Sequence, residues 1–199
     1  MMLTEQTQIA TAALPVQLFK DHLRLGSGFA DVALQDNLLQ AYLRSAIAAI
    51  EKRIGKVILA RRFMLTLEDW RHRNAQSLPV APVTAIVSVA LRDAANVQTL
   101  LAANTYRLVQ DTHRPKVASS GILFASPVEG GRIEVVFDAG FGMTWDLVPP
   151  DLAQAVLLLA AEYYEDRHHN ELTQNGVPPV VQNLIERWRV VRVLGGGEA

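Results

Sequence analysis

Between Asp31 and about Ile54, apolar residues recur at Leu34, Leu38, Tyr42, Ala46, Ile50 and Ile54, and Leu39, Leu43 and Ile47 widen the stripe. Steps of four keep side chains on one side of a helix, so the spacing predicts a long amphipathic helix. Asp31 is the expected N-cap, because its carboxylate can accept an orphan N–H of the first turn, and Gly55 is the expected stop. A shorter helix is expected before it, over Val16–Leu25, closed by Gly26-Ser27-Gly28. After Gly55 the period becomes two: Phe63, Leu65 and Leu67 alternate with Met64, Thr66 and Glu68, which predicts a strand. Pro79-Val-Ala-Pro82 punctuates, and the β-branched run Val83–Leu91 predicts a second strand. Tyr106–Val109, Ile122–Phe124 and Arg132–Phe137 are further strand candidates, with Gly130-Gly131 as the expected hairpin turn between the last two.

Helical signals then return. In Val148-Pro149-Pro150-Asp151 the prolines fix φ near a first turn and Asp151 suits the positive end of the helix dipole. That helix is expected to reach about His168, and Val177-Pro178-Pro179 repeats the device for a last helix to about Val193. The predicted architecture is α+β, a bundle of about four helices with an inserted small antiparallel β-module. Its expected divisions are a lead over 1–13, a helical core from 14–59 and 146–194, a β-rich insertion over 60–145 and a flexible glycine tail over 195–199.

Composition narrows the class. The chain has 199 residues, 50% hydrophobic, with 19 Lys+Arg against 20 Asp+Glu and no cysteine. That is enough apolar content for a real core and too little net charge for a disordered chain or a general nucleic-acid coat. Without cysteine there is no disulfide scaffold, thiolate zinc site or Cys nucleophile. The greasiest helical stretch, Leu152–Ala161, is about half the ~20 residues needed to cross a membrane. Met1–Lys20 has Glu5 before any basic residue, so a signal peptide is not expected and a soluble protein is.

Catalytic templates are missing. There is no G-x-x-x-x-G-K-[ST] phosphate loop, no G-x-S-x-G elbow and no H-E-x-x-H. Ala139-Gly-Phe-Gly142 reads as a sharp turn whose glycines supply unusual φ. The one cluster with ligand chemistry is Glu165, His168, His169 and Glu171. Its E-x-x-H pair would put a carboxylate and an imidazole on one helix face, but a di-iron bundle needs a second such pair and none exists. The alternative is a polar helix end whose histidines suit the negative C-terminal dipole.

Charge is segregated. From Arg44 to Arg73 eight basic residues face three acidic ones, net +5; from Asp138 to Glu171 seven acidic residues face Arg167, net −6. Ordinary solvated helix faces are one reading. The other is head-to-tail pairing of copies into a ring, with Arg44, Lys52, Arg53, Lys56, Arg61 and Arg62 as basic subunit-interface or lumen residues and Asp151, Glu162, Glu165 and Asp166 as acidic interface residues. A DNA-binding accessory using the basic stretch is a third reading, weakened by the lack of interleaved aromatics. The last helix carries Ile185, Trp188, Val191 and Leu194 on one side with Arg187, Arg189 and Arg192 around them, residues that suit either docking on the bundle or a binding hot spot.

The order of these motifs resembles the head–tail connector (adaptor) proteins of long-tailed phages and gene transfer agents. Leu14–Leu25 resembles the opening helix of that family, and Asp36–Gly55, ending Ala49-Ile-Glu-Lys-Arg-Ile-Gly55, resembles its long second helix. Leu78–Val89 resembles the strand entry of the longer members. Phe137–Gly142, Val148–Leu152 and Tyr163–Arg167 resemble the turn and third helix, and Pro179–Arg189 the closing helix with its aromatic–Arg end, here Trp188-Arg189. The likeness spans about residues 14–192 and departs in the lead (Met1–Ala13) and the Gly-rich end. It implies a non-enzymatic ring, usually of twelve copies, beneath the portal and above the stopper or tail terminator, with DNA passing through without sequence specificity. It implies no cofactor and no membrane partner. The protein would be made in the bacterial cytoplasm and reside in the neck of a virion or phage-like particle. The portal anchor it implies is the C-terminal segment with Arg187, Trp188, Arg189, Arg192, Val193 and Leu194.

Overall fold

A computed structural model describes residues 1–24, 33–165 and 177–189. The elements in chain order are β1 (Met2–Glu5), α1 (Val16–His22), α2 (Ala33–Ile54), β2 (Arg61–Leu67), β3 (Ala75–Ser77), β4 (Val83–Arg92), β5 (Gln98–Leu100), β6 (Tyr106–Val109), β7 (Lys116–Ser119), β8 (Arg132–Ala139), α3 (Pro150–Glu165) and α4 (Pro179–Ile185). The fold is α+β: the four described helices pack together, and the strands form two antiparallel sheets, ordered β1-β2-β8-β4-β5 and β3-β7-β6.

One apolar cluster joins the helices. Phe19 of α1, the α2 stripe Leu39, Leu43, Ala46, Ile47, Ile50 and Ile54, the α3 stripe Leu152, Ala155, Val156 and Leu159, and Val181 and Ile185 of α4 are all buried there. The i, i+4 series in α2 drifts about 40° per step on a 3.6-residue helix. The inward face therefore starts at Leu39, and Leu38 lies outside it, exposed. Gly55, at φ +66°, closes α2 with its N–H on the Glu51 carbonyl, as the spacing predicts. Asp31 lies outside the described residues.

A second cluster sits on the sheets. Phe63, Leu65 and Leu67 of β2 meet Ile133, Val135 and Phe137 of β8, and Phe63 stacks on Phe137, directly opposite, at 5.9 Å. The two clusters adjoin where residues 57–60 run beside 140–142. Phe141 N–H donates to the Ile58 carbonyl and Ala60 N–H to that of Gly142. Gly140 has φ +137°, and a Cβ there would lie 2.4 Å from the Ala60 backbone, so only glycine fits the crossing.

Three expectations change. Ile122–Phe124 is loop, not strand; Phe124 tucks under Trp70 at 4.3 Å while Ile122 is 90% exposed. The strand before β8 is β7, in the other sheet, so Gly130-Gly131 turns the chain without making a hairpin. The last helix ends at Ile185 and tightens into a 3-10 turn, Glu186–Trp188, rather than running on to Val193. The lead also holds a strand, since β1 caps the sheet edge against β2.

Candidate functional site

Most of the basic stretch is engaged inside the protomer. Arg61 projects from the start of β2 toward the C-terminal half of α2. Its Nη2 and Nη1 reach the Glu51 carboxylate at 2.7 and 3.0 Å, and its Nε lies 3.0 Å from Glu5 on β1. Burial works against the Arg61 cation, but the Glu51 hydrogen bonds and the charges of Glu51 and Glu5 outweigh it and hold its pKa above the ordinary value. Glu51 also accepts the Ile58 N–H at 2.7 Å, so one carboxylate ties α2, the crossing segment and the sheet together. Arg44 donates to the Ile9 carbonyl at 2.9 Å, holding residues 5–9 against α2 across a groove of about 490 Å³.

Arg62 pairs with Asp138, directly opposite on β8, through two bonds of 2.8 and 3.0 Å. Lys56 is only 1% exposed, and its Nζ lies 3.1 Å from His113 Nδ1. Burial lowers the Lys56 pKa, with the charge of Asp111 working the other way. Of the six basic candidates, Lys52 and Arg53 alone stand exposed in the last turn of α2 with no ion pair among the described residues.

The acidic candidates divide in the same way. Asp151 opens α3, where its Oδ1 accepts the Leu152 N–H. Its Oδ2 accepts the Trp188 indole N–H at 2.7 Å and lies 2.7 Å from Arg187 Nε. Trp188 sets its ring edge-on to Phe141 at 5.1 Å, and the Arg187 guanidinium lies 4.7 Å from the indole centroid. Asp151 thus binds the turn that follows α4, while the Arg187 side chain stays 67% exposed and Arg189 pairs with Glu186 at 3.1 Å. Glu162 is half-buried and Glu165 exposed on the last turn of α3, neither in an ion pair among the described residues. Asp166, Arg192, Val193 and Leu194 lie outside those residues.

The metal reading keeps only Glu165 in view, since His168, His169 and Glu171 also lie outside. Among the described residues no group of three or more His, Asp or Glu could hold a metal ion, and no helix is long and apolar enough to cross a membrane. Sequence reasoning missed the partners Glu5, Glu51 and Phe141. Only the β1–β2 and β2–β8 registers and the crossing at Gly140 bring them into contact.

No protein-family model and no curated protein matches the chain. Solved structures do. A chain in the neck of an empty gene transfer agent particle, computed with C6 symmetry, is 51% identical over 98% of this chain and 99% of its own, with a TM-score of 0.88. A chain of the virion of a native gene transfer agent particle is 50% identical over the same shares, at 0.85. One from the neck of a native particle, computed with C12 symmetry, is 47% identical over the same shares, at 0.83.

Proposed function

This chain belongs to the head–tail connector (adaptor) protein family of long-tailed phages and gene transfer agents, and we propose that it is a structural, non-enzymatic ring-former in the neck of such a particle. The observation that carries the reading is near-complete coverage at about half identity of chains from two necks, one of an empty particle computed with sixfold symmetry and one of a native particle computed with twelvefold symmetry. A ring of twelve fits both symmetries. Its contacts are heterologous, one face of a protomer against a different face of the next. The ring joins the portal to the stopper or tail terminator and leaves a lumen through which DNA passes without sequence readout.

The C-terminal segment is the portal anchor in this proposal. Its root is the Asp151–Trp188 bond, which holds Arg187 and Arg189 at the surface where the chain leaves α4. Of the predicted interface residues, Lys52 and Arg53, with Glu162 and Glu165, form no ion pair among the described residues and are the ones this proposal turns toward a neighbouring subunit.

Cosedimentation with the cognate portal ring tests this. Full-length chain is compared with a version ending at Arg189, which keeps the docked Trp188. Full-length chain should travel with the portal and the shortened one should not. If both travel, residues 190–199 do not carry the anchor; if neither does while both are folded, the adaptor role is wrong.

A further inference from the structure

We propose that the outward face of the small sheet β3-β7-β6 is the surface this protein turns toward duplex DNA, an inference that rests on the ring reading above. Register separates the two faces. Directly opposite residues of an antiparallel pair share a face, so Gln76, Val117 and Leu108 form one row and Tyr106 joins that side. Val117 is fully buried, and Tyr106 and Leu108 pack on the sheet core, so this side faces inward. The other side carries Ala75, Ala118 and Arg107 in one row and Ser77, Lys116 and Val109 in the next. Arg107 and Lys116 are diagonal neighbours there, about 7–8 Å apart at Cα.

The face is positive: Arg107 is exposed and Lys116 half-buried, with the small, buried Ala118 between them. Alanine and serine between the cations leave room for their aliphatic stems to lie along the sheet with the charges outward. Arg114 precedes β7 at one end of the sheet, and Arg71 lies in the loop entering β3 at the other. None of Arg71, Arg107, Arg114 and Lys116 forms an ion pair among the described residues. Asp111, in the loop before β7, accepts the N–H groups of His113 and Arg114 at 2.7 and 2.6 Å, and its charge also faces Lys56.

A face of this kind suits phosphate better than protein. The centre of a protein interface is depleted in charge and enriched in aromatics, and this face has no aromatic. Protein–DNA interfaces are polar and positive, and Arg, Lys and Ser contacts to phosphate position a duplex without reading its bases. That is the contact that unselective passage requires.

The test uses full-length chain with a labelled 30-bp duplex in a salt titration followed by anisotropy, and sedimentation of the same samples to register ring formation. Each phosphate contact contributes about 0.9 to the slope of log K against log salt. The Arg107→Gln, Lys116→Gln double variant should lower that slope by about 2 per engaged protomer, while Arg24→Ala, at an exposed site elsewhere, should leave it unchanged. An unchanged slope in the double variant, or an equal loss in Arg24→Ala, overturns the assignment. Rings without salt-sensitive DNA binding overturn the DNA face alone. Binding with the expected slope but no rings supports the face and counts against the ring reading.

Discussion

Arg61→Met isolates the charge network that joins the helices to the sheet. The Arg61 side chain is 7% exposed and that of Glu51 12%, with 2.7 Å between Nη2 and Oε2. Removing one partner of such a pair leaves the other charge buried and uncompensated, which costs about 3–5 kcal/mol. The Ile58 N–H remains as partial compensation for Glu51, so the lower end, about 3 kcal/mol, is expected. In a domain of this length each kcal/mol moves Tm by about 2–4 °C, giving a fall of roughly 6–12 °C by calorimetry. Adding Glu51→Gln removes the orphaned carboxylate, so the double variant should lose less than the sum, with a coupling of about 1–3 kcal/mol. Lys52→Met and Arg53→Met, exposed on the residues that follow Glu51 in α2, should each stay within about 0.5 kcal/mol of wild type. An Arg61→Met loss under about 1 kcal/mol, or strict additivity with Glu51→Gln, would refute the reasoning. If it holds, reversing charges along the whole Arg44–Arg73 stretch would unfold the protomer, and assembly is to be read at residues without an internal ion pair, Lys52 and Arg53 among them.

Asp151→Asn should weaken the seat of Trp188 by about 1–2 kcal/mol, the scale of one charge-assisted hydrogen bond, read as a red shift in tryptophan emission and weaker portal cosedimentation with little change in Tm. Gly140→Ala forces a Cβ to within 2.4 Å of the Ala60 backbone at φ +137° and should cost several kcal/mol, whereas Gly121→Ala, in open space, should cost only its φ strain; thermal melts compare them. Lys56 has a lowered folded-state pKa, so between that value and 10.5 the unfolded chain binds more protons and the cost of burying the ammonium fades as pH rises. Stability of wild type relative to Lys56→Met should therefore increase with pH over that window, and a flat or falling difference in urea midpoints would contradict the burial argument.

The helices and the central strands were legible because their periods are long and strict: α2 repeats over six turns, and β2 alternates across seven residues. What failed was short and context-dependent. β1 and β5 expose nearly every side chain, so they carry no inward alternation, and only pairing with β2 and β4 makes them strands. Ile122-Leu123-Phe124 is apolar enough for a strand, yet just one of the three finds a core, against Trp70. Charge segregation was visible too, but its meaning was not. Asp138, counted with the acidic segment, is the cross-strand partner of Arg62, 76 residues away, and no local pattern reveals that register. Docking of Trp188 on the protomer was legible as one of two alternatives, because a Trp between two arginines after a proline-started helix suits either docking or a binding hot spot. Its receptor, Asp151, was legible only as a cap.

The same internal pairing bears on what holds the ring together. Arg61, Arg62 and Asp151 find their partners within the protomer, which takes these three out of any salt bridge between copies, and the formal net charge of −1 brings little self-repulsion. Large apolar side chains remain exposed on both halves, among them Leu18, Met143, Leu147 and Val180 on the helical side and Val97 and Leu100 at the β5 edge. Fully burying one such side chain contributes about 1.5–3 kcal/mol, against about 0–1 kcal/mol for an exposed ion pair that salt then screens. A few apolar contacts per interface therefore outweigh Lys52, Arg53, Glu162 and Glu165 combined. The expected outcome is a ring whose sedimentation coefficient does not change between about 0.05 and 0.5 M salt, although the Debye length shrinks roughly threefold over that range. Methionine oxidation at Met143, 74% exposed, should loosen it instead, because the sulfoxide is polar. A ring that falls apart as salt rises, and is indifferent to oxidation, would return the interface to charge pairing.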